Sequence, residues 1–251
     1  MMSMDNAYSV EVNDLTKKFG HFVAVDHISF YVQDGEIFGF LGANGAGKTT
    51  TIRMLCGLIL PTSGQGRVEG LDIFTQTEAI KQNIGYMSQK FSLYDDLTVE
   101  ENLVFYGGIY GMPSSELSLA CEAVIQRMDL GGQVKKMTRS LPAGWKQRLA
   151  LSCAILHQPK ILFLDEPTGG VDPISRRAFW DIIHQLAESG TTIFVTTHYM
   201  DEAEYCNRLS IMHEGRIIAL GSPMELKERY QQPTVERVFI DLVKPADAGR
   251  E

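Results

Sequence analysis

At 251 residues, with 44% apolar and 22% charged side chains, the chain is long enough to bury the core of one large α/β domain, or of a domain with a sub-domain. Its net charge of −8 offers no general attraction for nucleic acid, which is not an expected partner. Cys56, Cys121, Cys153 and Cys206 are scattered without a C-x-x-C pair, which argues against a disulfide framework or zinc site and for reduced, buried thiols.

In chain order, Tyr8 to Val12 alternates like a strand and Val23 to Val32 does the same, predicting a hairpin. Lys17, Lys18, Phe19 and Gly20 are expected between the two strands. Phe19 is then either core or a flat surface on which a base can stack. An apolar run from Glu36 to Leu41 predicts a buried strand, and a helix is expected from Thr50 to Cys56. Pro61 to Gly66 reads as turn, with a short strand at Arg67 and Val68. A strand ending at Gln89 is followed by helical pattern: Thr98 and Glu101 form a capping box, and Gly111-Met112-Pro113 stops that helix. Leu117, Ala120, Cys121, Val124, Ile125 and Met128 form an amphipathic stripe that Gly131-Gly132 ends. Residues 90–157 are thus expected to be a helical insert, whose last helix runs from Lys146 to Leu156. Ile161 to Leu164 predicts a strand leading into Asp165-Glu166. Asp172-Pro173 starts a helix with Phe179, Ile182, Ile183 and Leu186 on one face. Thr191 to Thr196 predicts a strand before His198, and a hairpin turns at Glu214-Gly215. The tail holds a helix from Glu225 to Tyr230 and an amphipathic piece from Val235 to Val243. No apolar run approaches the ~20 residues that span a bilayer. Residues 1–6 have neither the basic nor the apolar region of a signal peptide, so the expectation is a cytoplasmic chain that reaches a membrane through a partner.

Two stretches carry chemistry. Residues 42–49 fit G-x-x-x-x-G-K-[ST] between a predicted strand and a predicted helix. Gly42, Gly45 and Gly47 let the backbone curl around phosphate, while Asn44, Ala46 and Thr50 complete the cradle at the helix N-terminus. Lys48 is expected on the β- and γ-phosphates, and the Thr49 hydroxyl on Mg²⁺. The implied ligand is a nucleoside triphosphate. Asp165, at the end of an apolar strand, is suited to hold the metal through water, and Glu166 to orient or deprotonate the attacking water. His198, also at a strand end, is a candidate γ-phosphate contact.

The ordered set of Phe19, the loop at 42–49, Gln89, residues 141–149, residues 164–168, Gly170-Val171-Asp172 and Thr197-His198 resembles the ABC transporter ATPase domain over nearly the whole chain, to about residue 222. The local wording at 89–99 and 196–203 is similar to ATPase subunits of ABC-2-type exporters of the drug-efflux kind. The resemblance implies a P-loop, RecA-like α/β core with an antiparallel β sub-domain and an inserted α-helical sub-domain. The domain would span 1–222, with a short extension at 223–251. It implies ATP and Mg²⁺, hydrolysis coupled to transport, and a place on the inner face of the membrane against an ABC-2-type permease. Phe19 would stack on adenine, and Gln89 would touch Mg²⁺ and water. Asp172 would belong to the D-loop. Two subunits, identical or different, would close head to tail over two ATP molecules, each meeting the partner's signature stretch.

That signature is usually Leu-Ser-Gly-Gly-Gln, and here it is Leu141-Pro142-Ala143-Gly144-Trp145. Pro142 removes a hydroxyl and an N–H, and Trp145 replaces an amide. Either the trans contacts are weak, or the partner is a second subunit with an intact signature. Against an importer stand the short region after Leu220 and the exporter-like wording. A soluble ABC-type ATPase acting on ribosomes, DNA or cofactor assembly stands further back, since no tandem cassette, coiled-coil insertion or basic surface is visible.

Overall fold

A computed structural model describes residues 8–90 and 92–243. Residues 1–6, read above for a signal peptide, Phe91 within the exporter-like stretch, and the tail beyond residue 243 lie outside the described residues.

Strands β1 (Tyr8–Phe19) and β2 (Phe22–Gln33) form the expected hairpin, but both run further than their alternation suggests. Lys17, Lys18 and Phe19 are not a connection; they are ladder residues paired with Val25, Val23 and Phe22. Bulges after Val12 and Leu15 reset the inward–outward pattern, which hides the second half of β1 from a period-two reading. β3 (Ile37–Gly42) is buried throughout and leads through the glycine loop into α1 (Lys48–Leu55). β4 (Ser63–Val68) takes in Ser63 to Gly66, expected as turn, and pairs with β1. Gly66 is suited to that ladder position, because a Cβ there would lie 2.5 Å from Ile73 Cδ1. β5 (Leu71–Asp72) and α2 (Thr77–Asn83) follow without a sequence signal, and β6 (Ile84–Met87) is the strand before Gln89.

The insert comprises α3 (Val99–Ile109), α4 (Ser114–Arg127) and α5 (Ala143–Ile155). Thr98 and Glu101 form the expected reciprocal cap on α3. α4 closes at Arg127, ahead of the glycine pair, and α5 starts at Ala143 rather than Lys146 because Pro142 occupies its N-cap. Beyond it come β7 (Ile161–Asp165), α6 (Pro173–Glu188) and β8 (Thr192–Thr197). The chain continues with β9 (Arg208–His213), β10 (Arg216–Gly221), α7 (Pro223–Arg229) and α8 (Val235–Val243).

The strands make two sheets. One is antiparallel, in the order β2-β1-β4-β5; the other runs β10-β9-β3-β8-β7-β6 and is parallel except for β10 at its edge. Phe38 and Phe40 of β3 meet Phe30 of the antiparallel sheet and Phe194 of their own, with the Phe40 and Phe194 rings 5.4 Å apart, and Phe194 in turn meets Phe163. The opposite face, from Ile37, Leu162, Leu164, Ile193 and Val195, packs on the insert and α6. Large apolar residues on both faces are what a sheet covered on both sides requires. All four cysteines are free and buried, as expected.

In register, Leu41 lies beside Thr197, Asp165 beside Thr196, and Met87 beside Leu164. The carboxyl ends of β3, β8, β7 and β6 therefore form one edge, and whatever follows each strand converges there.

Candidate nucleotide-binding site

The cradle is built by close backbone approach. Gly47, the N-cap of α1, has φ of 107°, and a Cβ there would meet Ala24 O at 2.5 Å; a Cβ on Gly42 would meet Met212 O at the same distance. Asn44 and Gly45 form the exposed crown of the loop, Ala46 is buried beneath it, and Thr50 is half-buried on α1. No side chain caps α1, so its first N–H groups and the helix dipole are available to an anion. Lys48 is buried and donates from Nζ to Gly42 O at 2.8 Å and Ala43 O at 3.2 Å. The same ammonium lies 3.2 Å from Glu166 Oε1.

The carboxylates sit just beyond β7. Asp165 is 1% exposed, and its Oδ1 accepts from Thr49 Oγ1 at 3.1 Å and Thr196 Oγ1 at 2.8 Å. Burial, chiefly, raises its pKa above the ordinary carboxylate value, against the lowering effect of those hydroxyls. Glu166, 7% exposed, has φ of 49°, a conformation that non-glycine residues adopt at a cost. Its N–H is held by Thr196 O at 3.1 Å and Thr196 Oγ1 at 3.0 Å. Glu166 Oε2 accepts from Gln89 Nε2 at 2.9 Å and lies 3.1 Å from His198 Nδ1. One carboxylate thus gathers Lys48, Gln89 and His198 from three separate strand ends, with Thr49 and Asp165 alongside.

The remaining candidates stand apart from that cluster. Phe19 is 51% exposed at the end of β1, with Lys17 Nζ 4.9 Å from its ring centroid, so the core alternative is removed. Leu141 is buried, while Pro142 and Ala143 are exposed. Gly144 comes close to α6, since a Cβ there would lie 3.0 Å from Ser175 Oγ. Trp145 lies under the Arg148 guanidinium, 5.3 Å from centroid to carbon, and packs on the helical core. Asp172 caps α6, accepting from Ile174 N and Ser175 N at 3.0 Å, and the hydrogen bonds from Ser175 hold its pKa low. Thr196 was not foreseen as a site residue; its position in β8 beside Asp165 was the available signal. A surface cavity lies elsewhere, on the antiparallel sheet beside Glu11, Tyr31, Gln65 and Arg67.

Thr49 Oγ1, the Asp165 carboxylate and Gln89 Oε1 are hard oxygen donors of the kind Mg²⁺ takes alongside phosphate and water. A bare-backbone cradle at a helix N-terminus, a buried lysine and an aspartate joined to the loop threonine define a phosphate-loop nucleotide-binding cassette. The chain belongs to the ABC transporter family, whose model matches residues 25–169. It is 49% identical over 243 residues to the probable multidrug ABC transporter ATP-binding protein YbhF of Escherichia coli (strain K12), covering 95% of this chain and 42% of that protein. It is 37% identical over 238 residues to the linearmycin resistance ATP-binding protein LnrL of Bacillus subtilis (strain 168), covering 94% and 76%. A solved ATP-binding subunit of an ABC transporter matches with TM-score 0.84 at 27% identity, covering 94% of this chain and 99% of that one. The expected family and α/β cassette fold are thereby borne out. The chain spans less than half the length of YbhF. Among the described residues no helix is long and apolar enough to cross a membrane.

Proposed function

We propose that this chain is the ATP-binding and ATP-hydrolysing subunit of an ABC-2-type exporter, working by ATP-driven closure of a dimer. The observation that carries the reading is the convergence of Lys48, Gln89 and His198 on the Glu166 carboxylate, beside the Asp165–Thr49 pair. Triphosphate entering the cradle draws the Lys48 ammonium to its β- and γ-oxygens and releases Glu166. The freed carboxylate orients a water in line with the γ-phosphorus and accepts its proton. The new P–O bond forms as the bond to the β-phosphate oxygen breaks, giving ADP and inorganic phosphate. Gln89 and His198 hold the carboxylate and the water in place. Mg²⁺, held through Thr49, Asp165 and Gln89, would neutralise charge on the phosphates.

Phe19, exposed and beside a lysine, is read as the adenine platform. Residues 141–145 and Asp172 would face the nucleotide of a second subunit. Residues 1–222 would be the ATPase domain, with 90–157 as the insert through which Gln89 reaches an ABC-2-type permease, and 223–251 an extension. Such a subunit works at the inner face of the membrane, and the permease selects the cargo. The drug-related names of YbhF and LnrL support export rather than import.

ATP turnover by the purified chain, beside Glu166→Gln and with size-exclusion chromatography, tests this reading. The variant is expected to lose on the order of 10²–10⁴ in kcat and to accumulate an ATP-bound dimer. Equal turnover by the two proteins would overturn the assignment of Glu166.

A further inference from the structure

The turn after β8 carries Glu202, an acid with 0% of its surface exposed. Burying a carboxylate costs several kcal/mol unless it is paired and hydrogen-bonded. Glu202 Oε1 accepts from Thr168 Oγ1 and Oε2 from Thr197 Oγ1, both at 2.5 Å, the short range of charge-assisted O–H···O⁻ bonds. The nearest cation is Arg176 on α6, whose Nε is 3.8 Å from Glu202 Oε1. That guanidinium also covers the Tyr199 ring at 3.9 Å and reaches Asp201 Oδ2 at 3.5 Å.

Both threonines adjoin the residues that act on the water. Thr197 precedes His198, its hydroxyl accepts Tyr199 N–H at 3.0 Å, and the Tyr199 ring lies 4.2 Å from the imidazole. Thr168 follows Glu166-Pro167, and the Pro167 carbonyl is itself held at 2.8 Å by Gln147 Nε2 from α5. The two oxygens of Glu202 therefore clamp the two short segments that present Glu166 and His198. Arg176 joins the clamp to the helix that begins at Asp172. A purely space-filling role would be served as well by an apolar side chain, since exchanging a buried ionic group for packed hydrocarbon is often neutral or stabilising.

We propose that Glu202 is a positioning residue for ATP hydrolysis: it fixes Glu166 and His198 relative to each other. The proposal rests on the reading of the chain as an ATPase. Its test compares the full-length chain with Glu202→Gln, Thr168→Val and Thr197→Val, measuring kcat, ATP affinity and thermal midpoint. Glu202→Gln is expected to lower kcat on the order of 100-fold while ATP affinity stays within about twofold. Each threonine variant is expected to lose about tenfold in kcat. A second readout does not need turnover. The His198 imidazole signals in ¹H–¹⁵N spectra, assigned with His198→Asn, are expected to shift in Glu202→Gln and Thr197→Val. If Glu202→Gln does not fold, the two threonine variants decide alone. Folded variants with unchanged kcat, or unmoved His198 signals, overturn the proposal. If the wild-type chain shows no turnover even with membranes added, the ATPase reading fails by itself, and the imidazole spectra still report whether Glu202 holds His198.

Discussion

Burial favours the neutral form of both Asp165 and His157, which gives the two residues opposite pH dependences. Burial raises the Asp165 pKa, so its ionised form disfavours the fold: its contribution is full at acid pH and is lost as pH rises through the folded value. Asp165→Asn keeps the acceptor for Thr49 and Thr196 and removes that charge. It is therefore expected to raise the thermal midpoint of the nucleotide-free chain at neutral pH while abolishing turnover. His157 behaves oppositely. Its Nε2 contacts Ile84 O at 3.1 Å, its ring stacks on Tyr110 at 3.6 Å, and burial lowers its pKa from 6.5 to about 4. The stability it lends is full above 6.5 and lost as pH falls towards about 4. His157→Phe preserves the stack, and is expected to flatten that acid limb by about 1–3 kcal/mol in urea titrations run across the window. The phosphate loop and both site acids were legible in the sequence because they follow recognisable strands. Glu202 was not, since periodicity says nothing of a charge buried by two threonines far along the chain.

Among the elements, the insert's helices are tied to the segment after Gln89 by a buried amide and by ion pairs in water. Asn102 on α3, wholly buried, accepts from Tyr94 N at 3.0 Å and donates to Tyr94 O at 3.1 Å, Thr98 O at 3.0 Å and Thr138 Oγ1 at 2.9 Å. Around it, Lys146 pairs with Asp95 at 2.9 Å and Arg139 with Asp96 at 3.0 Å, both partly or fully in water. Magnitudes separate the two kinds of link. Lys146→Ala is expected to cost less than about 1 kcal/mol, and Asn102→Ala about 2–4 kcal/mol, because it leaves buried amide and hydroxyl groups unpaired. Urea midpoints of the two variants check the order. The sequence announced α3 through its capping box and α6 through Asp172-Pro173, whose chemistry is local. It concealed α2, which buries Ile80 alone and so has no stripe, and the far half of β1, where bulges break the alternation.

At the scale of the whole molecule, the dimer proposed above can be tested at the start of α5. Pro142 at its N-cap offers no side-chain acceptor to the first turn. Pro142→Ser with Ala143→Gly supplies one, worth about 1 kcal/mol at an N-cap, against which the new glycine costs a similar amount in helix propensity. The expected outcome is a nearly unchanged thermal midpoint with stronger ATP-dependent dimerisation, read by size-exclusion chromatography with and without nucleotide. An unchanged elution profile would favour pairing with a different subunit. The contact between Lys48 and Glu166 has a consequence of another kind. It makes Glu166 an internal counterion, tethered to the fold and present at an effective concentration that solutes cannot match. Stray sulfate or inorganic phosphate must compete with it for the ammonium, whereas a triphosphate adds contacts along the whole loop and displaces it. The cassette is thereby buffered against the simple anions around it, and its resting state answers to nucleotide.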